Sequence, residues 1–190
     1  MAVLQFWLHK LRSEADGLSS LRYLNTGFLG LTKAHPIFRT CGASPWEVEK
    51  ATVQARILSG RYRVEALTGH WVPWNKGGMC SLPECWGTPE SHKDTVESFL
   101  LSCHSLSTIR KDLTTHYLTC LQTEPDLASL VHSCLQDNPV QFWLDCSTMP
   151  QVIAAVQADG ESVLVKLFRI SRNYCFGLHR ARMDLLSVNQ

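Results

Sequence analysis

The sequence predicts a mainly α fold: a helical bundle over residues 1–190 as one domain, with a small cysteine-bearing loop inserted at 78–104. Three observations predict it. After Cys103 the apolar residues recur at the helical period almost to the end of the chain. Ser44-Pro45-Trp46-Glu47 is a complete helix start: a capping serine, a proline at the first helical position and a glutamate that closes a capping box. No stretch alternates apolar and polar residues for more than a few positions, and no segment repeats.

Composition narrows the class. With 190 residues, 45% of them hydrophobic and 18% charged, the chain has the make-up of a folded protein and enough length for one good core. Its apolar runs are far shorter than a membrane span. The start, Met1 to Lys10, lacks a basic leader and a small-residue cleavage site, so an intracellular protein is expected, in nucleus or cytoplasm. Eight cysteines then read as reduced thiols and metal ligands rather than as a disulfide framework. Cys41, Cys120, Cys134, Cys146 and Cys175 are expected to be small buried hydrophobes.

The elements follow in order. Val3, Leu4, Trp7, Leu8 and Leu11 make one face of a first helix that Asp16-Gly17 breaks. His35-Pro36 turns the chain extended. The helix that begins at Ser44 ends at Gly60; Val48, Ala51, Ala55 and Leu58 form one apolar face, and Trp46, Val53 and Ile57 another. Apolar on two sides, it is expected to lie between neighbours. Thr95 to Leu101 reads as a short helix leading into Cys103. Leu106, Ile109, Leu113, Tyr117 and Cys120 mark the next helix, behind a Ser105 cap. Glu124-Pro125-Asp126 starts another, Pro139 a short one, and Met149-Pro150 a third that Gly160 stops. The longest helix, 161–187, carries a stripe through Leu164, Leu167, Tyr174 and Leu178. Lys166, Arg169, Arg172, Arg180 and Arg182 lie opposite and are expected to face solvent.

Two stretches carry chemistry. Cys80 and Cys85, then Cys103 with His92 and His104 nearby, form a pair, a polar loop and a third thiol, the arrangement by which a small chain wraps a tetrahedral Zn²⁺. A fourth ligand on the helix before Cys103 would fall at Ser98, a poor zinc ligand, which leaves His92 or His104 to complete the set. The competing reading is three ordinary buried thiols. Just upstream, Arg56, Arg61, Arg63, His70, Trp71, Trp74 and Lys76 interleave cations with aromatic rings, as proteins that hold RNA or single-stranded DNA do. Packing of Trp71 and Trp74 under the loop, with the arginines paired to acids, competes with it. Charge supports the first reading: residues 33–76 hold seven Lys/Arg against three Glu (+4), whereas 80–150 hold three against nine Asp/Glu (−6).

Several segments together resemble a known family. His35-Pro-Ile-Phe-Arg-Thr-Cys-Gly42, Ser44 to Lys50, Gln54 to Arg63, His70-Trp71, Cys80 to Cys85, Leu100-Leu-Ser-Cys103, Phe142-Trp-Leu-Asp145 and Arg172 to Arg180 are similar to the region after the polymerase in LINE-like non-LTR retrotransposon polyproteins. The resemblance spans nearly the whole chain in the right order. It implies a Cys/Cys/His/Cys (CCHC-like) zinc module among helices that helps to hold template RNA or target DNA. Carried over by position, Cys80, Cys85 and Cys103 are ligands, and the family's histidine falls on Ser98. The polymerase part of a parent polyprotein is then a partner. No Tyr-x-Asp-Asp-type motif or converging set of carboxylates occurs, so a non-catalytic fragment is expected. The alternative is a helical protein–protein interaction module.

Overall fold

Helices with an apolar stripe need a surface to cover it, and here they cover one another. A computed structural model describes residues 2–18, 21–28, 34–64, 77–85 and 93–187. Along the chain run α1 (Ala2–Asp16), α2 (Pro36–Arg39), α3 (Pro45–Leu58), α4 (Ser107–Cys120), α5 (Pro125–Asp137), α6 (Pro139–Asp145), α7 (Pro150–Asp159) and α8 (Glu161–Ser187). Short 3₁₀ turns link several of them, and a π-helical turn occupies Ser98–Ser102. Among the described residues there is no strand, only an isolated antiparallel bridge between Met79 and Lys93.

Proline sets most of the starts. Pro36, Pro45, Pro125, Pro139 and Pro150 each stand in a first turn, where the missing N–H costs nothing. Ser44 caps α3 through its side chain, and Asn138 caps α6. Thr95 to Leu101 does not become the α-helix its pattern suggested; the chain widens there into the π turn.

The 27-residue α8 is the spine, about 40 Å long at 1.5 Å per residue. α2, α3, α4, α6 and α7 all pack along it. Leu164, Leu167, Phe168, Tyr174, Cys175 and Leu178 are its buried stripe. From α6, Phe142, Trp143 and Leu144 enter the same core, and Trp143 stacks on Tyr174 with ring centroids 3.7 Å apart and planes 9° apart. Such a pair adds about 0.5–1.5 kcal/mol beyond the area it buries.

The basic flank of α8 is not uniformly solvated. Arg172 and Arg182 are each only 2% exposed. Arg172 reaches across to the end of α2, donating to Ile37 O (3.3 Å), Thr40 Oγ1 (2.7 Å) and Thr40 O (3.0 Å). A cation at the carbonyl end of a helix satisfies acceptors that have no partner within it. The sequence shows only a regularly spaced arginine; the fold turns it inward because α2 ends there.

α3 also departs from expectation. Val53, Ile57, Ala51 and Leu58 are buried, but Trp46 and Val48 stand exposed, and the polar Gln54 is fully buried. Its amide donates toward Trp143 O, Leu144 O and Ser171 Oγ at 2.9–3.0 Å, tying α3 to α6 and α8. Cys41 is half-buried and Cys120 exposed, unlike the expected buried thiols; Cys134, Cys146 and Cys175 are buried. Of the described residues, none belongs to a helix long and apolar enough to cross a membrane.

Candidate metal centre

Gly78, with φ of +63°, turns the chain into the cysteine loop, and Asp94 N donates to Gly78 O (2.9 Å) to close its base. A tight turn, Cys85 N to Leu82 O at 2.9 Å, folds Cys85 back toward Cys80. Cys103 comes from the other side, at the end of the π turn, its N–H bonded to Ser98 O at 2.7 Å. The wide turn leaves carbonyls that α4 and α8 satisfy. Arg110 donates to Leu100 O (3.1 Å) and Cys103 O (2.7 Å), and Tyr174 donates its hydroxyl to Leu100 O (2.8 Å). So the third thiol is held by the bundle itself.

The three sulfurs converge. Cys103 Sγ lies 3.9 Å from Cys80 Sγ and 3.7 Å from Cys85 Sγ, and all three sit within 4.8 Å of one another. A tetrahedral ion with metal–sulfur bonds of about 2.3 Å separates its sulfurs by roughly 3.8 Å. The two separations from Cys103 therefore already match the edge of such a tetrahedron, and all three thiols are buried at 0–1% exposure. Backbone N–H groups of Leu82 and Leu106 point at Cys80 and Cys103, and Ser105 Oγ lies 3.4 Å from Cys85 Sγ. Donors aimed at sulfur stabilise thiolate and orient it. The hydrogen bond with Cys80 holds the Cys103 thiol below its usual range, and the same bond, with burial, pushes the Cys80 thiol up.

The expected fourth ligands fare differently. Ser98 is buried, with a hydroxyl that has no hydrogen-bond partner among the described residues. His104 is exposed and does not join the cluster. His92 lies outside the described residues, as do His70, Trp71, Trp74 and Lys76.

A buried ion pair adjoins the thiols. Arg182 donates bidentately to Asp94, at 3.0 and 2.5 Å, and its guanidinium lies 5.8 Å from the Phe99 ring centre. The sequence signals neither partner. Asp94 immediately follows the bridge at Lys93, and Arg182 looks like one more surface cation.

On the far side of Arg182 an open groove of about 460 Å³ is lined by Arg56, Arg61, Arg63, His179 and Met183, with no acid among the described residues of its wall. α3 ends there in a Schellman motif around Gly60 (φ +66°): Gly60 N donates to Ile57 O and Arg61 N to Arg56 O. That wrap brings Arg61 back beside Arg56 and leaves both, with Arg63, exposed and in no ion pair among the described residues. Tyr62 between them turns inward, its hydroxyl 3.1 Å from His179 Nδ1. Set beside known proteins, the chain matches no family model, no curated protein and no solved structure.

Proposed function

We propose that Cys80, Cys85 and Cys103 hold a structural Zn²⁺, and that the chain is a non-catalytic module that binds RNA or single-stranded DNA. It would correspond to the post-polymerase region of a LINE-like retroelement polyprotein and work beside that polymerase inside the cell. The observation that carries the binding reading is the groove: three exposed arginines on one concave surface, with no acid among its described lining residues. Guanidinium groups so placed neutralise phosphates. The thiol spacing supports the metal, which pins the 78–85 segment against the π turn. Soft thiolates with tetrahedral spacing favour zinc. His92 is the fourth ligand this reading names, and Ser98→His offers a substitute: it should tighten zinc binding, and unchanged affinity in a chelator competition would remove position 98 from the coordination sphere.

The binding test is a gel shift over a salt series. Three neutralised phosphates give a slope of log K against log salt of about −2 for a single strand. Arg61→Glu with Arg63→Glu should cut affinity several-fold and flatten the slope by more than half. Unchanged binding discards the groove.

A second reading, a protein–protein module, draws on α1, where Phe6, Trp7 and Leu11 are all more than half exposed. Capture of a partner that survives nuclease treatment, with no RNA retained on a filter, favours it.

A further inference from the structure

A smaller pocket of about 190 Å³ opens beside the arginine groove, between α3 and α8, and the two share His179 and Met183 in their walls. Trp46 forms its α3 side. Although it stands in the first turn of a packed helix, its indole is 46% exposed. Phe176 braces it edge-on, ring centres 4.8 Å apart at 81°, and Lys50 Nζ lies 5.7 Å from its centre. Met183 opposite is 50% exposed, an adaptable apolar contact. The rim changes character from the groove: Glu49 and Asp184 stand there exposed, with no ion-pair partner among the described residues, and face a single arginine, Arg180.

This sequence of surfaces has a chemical meaning. Phosphates are drawn more strongly to Arg56, Arg61 and Arg63 than to a pocket where two carboxylates outnumber one arginine. A strand lying in the groove therefore points a base, not its backbone, into the pocket. There a planar ring meets the indole, and the carboxylates accept hydrogen bonds from an exocyclic amino group. Cytosine, adenine and guanine carry one; uracil and thymine have carbonyl oxygens only and are disfavoured. We propose that the Trp46 pocket is a base-binding subsite for the single strand held in the groove, selective for an amino-bearing base through Glu49 and Asp184. It rests on the nucleic-acid reading above and adds selectivity that the groove alone lacks.

The test uses the full chain with labelled oligo(rC) and oligo(rU) in fluorescence anisotropy. Wild type should prefer oligo(rC) by roughly five- to tenfold. Trp46→Ala should weaken both by roughly five- to hundredfold, with Trp46→Phe retaining most of the affinity. Glu49→Gln with Asp184→Asn should abolish the preference and leave oligo(rU) bound at least as tightly. Trp46 is exposed, so the variants should melt like wild type, which circular dichroism verifies. Equal affinity for the two oligomers, or Trp46→Ala binding as wild type, overturns the subsite; if Arg61→Glu with Arg63→Glu still weakens binding, the groove survives it. No binding of either oligomer at low salt overturns both.

Discussion

Arg182 illustrates how a side chain's role depends on what the fold brings to it. Its charge is buried with that of Asp94. Arg182→Met should destabilise by about 3–5 kcal/mol, read from urea unfolding, because a buried carboxylate loses its bidentate guanidinium. Adding Asp94→Leu should recover a large part of the loss; no recovery would show that the arginine acts through something other than this pair. His179 makes a different prediction. Burial holds its pKa below the ordinary 6.5, so the folded state prefers the neutral ring. The unfolded chain takes up the proton first as pH falls. Stability from this group is therefore complete above about 6.5 and is lost as pH drops below that value toward the folded pKa. His179→Gln should flatten that limb of the melting-temperature profile; an identical profile would contradict the assignment.

Helix starts were legible because they rest on local chemistry. The Ser44 cap, the prolines of the first turns and Gly60 each act within a few residues, so their signals survive in the sequence alone. The π turn was not legible. Its widening depends on Arg110 and Tyr174 reaching the carbonyls of Leu100 and Cys103 from two other helices. The same holds for Gln54 and Arg172, polar residues at helical spacing that pattern assigns to solvent and tertiary partners draw inside. Of the candidate site, the three converging cysteines could be read from spacing, whereas the Asp94–Arg182 pair and the Trp46 pocket could not, since neither has a local motif. The α4–α8 contact carries its own test. A Cβ at Gly177 would come within 2.8 Å of Leu113 Cδ1 and 3.0 Å of Cδ2. Gly177→Ala should gain less than the roughly 1 kcal/mol its better helix propensity would add, because the Leu113 methyls must move aside. With Leu113→Ala already present, the same change should stabilise by the full amount; additive effects would mean that the two positions do not touch.

Taken together, the molecule is a bundle around α8 to which a cysteine ribbon is fastened at one place, and the arginine groove lies just across the Arg182–Asp94 pair from that fastening. Its helices have a core of their own, unlike zinc fingers that fold only with metal. The ribbon has little: beyond its thiols, Leu82 is the residue of 77–85 that joins the core. Metal removal should therefore loosen the ribbon and the groove edge while leaving most of the helical signal. The decisive assay is elemental analysis of chain purified without chelator, beside Cys85→Ala, with thermal melts before and after EDTA. Stoichiometric zinc in the wild type, its loss in the variant and a lower melting temperature after EDTA are the predicted result. A metal-free protein whose melt ignores EDTA would contradict it.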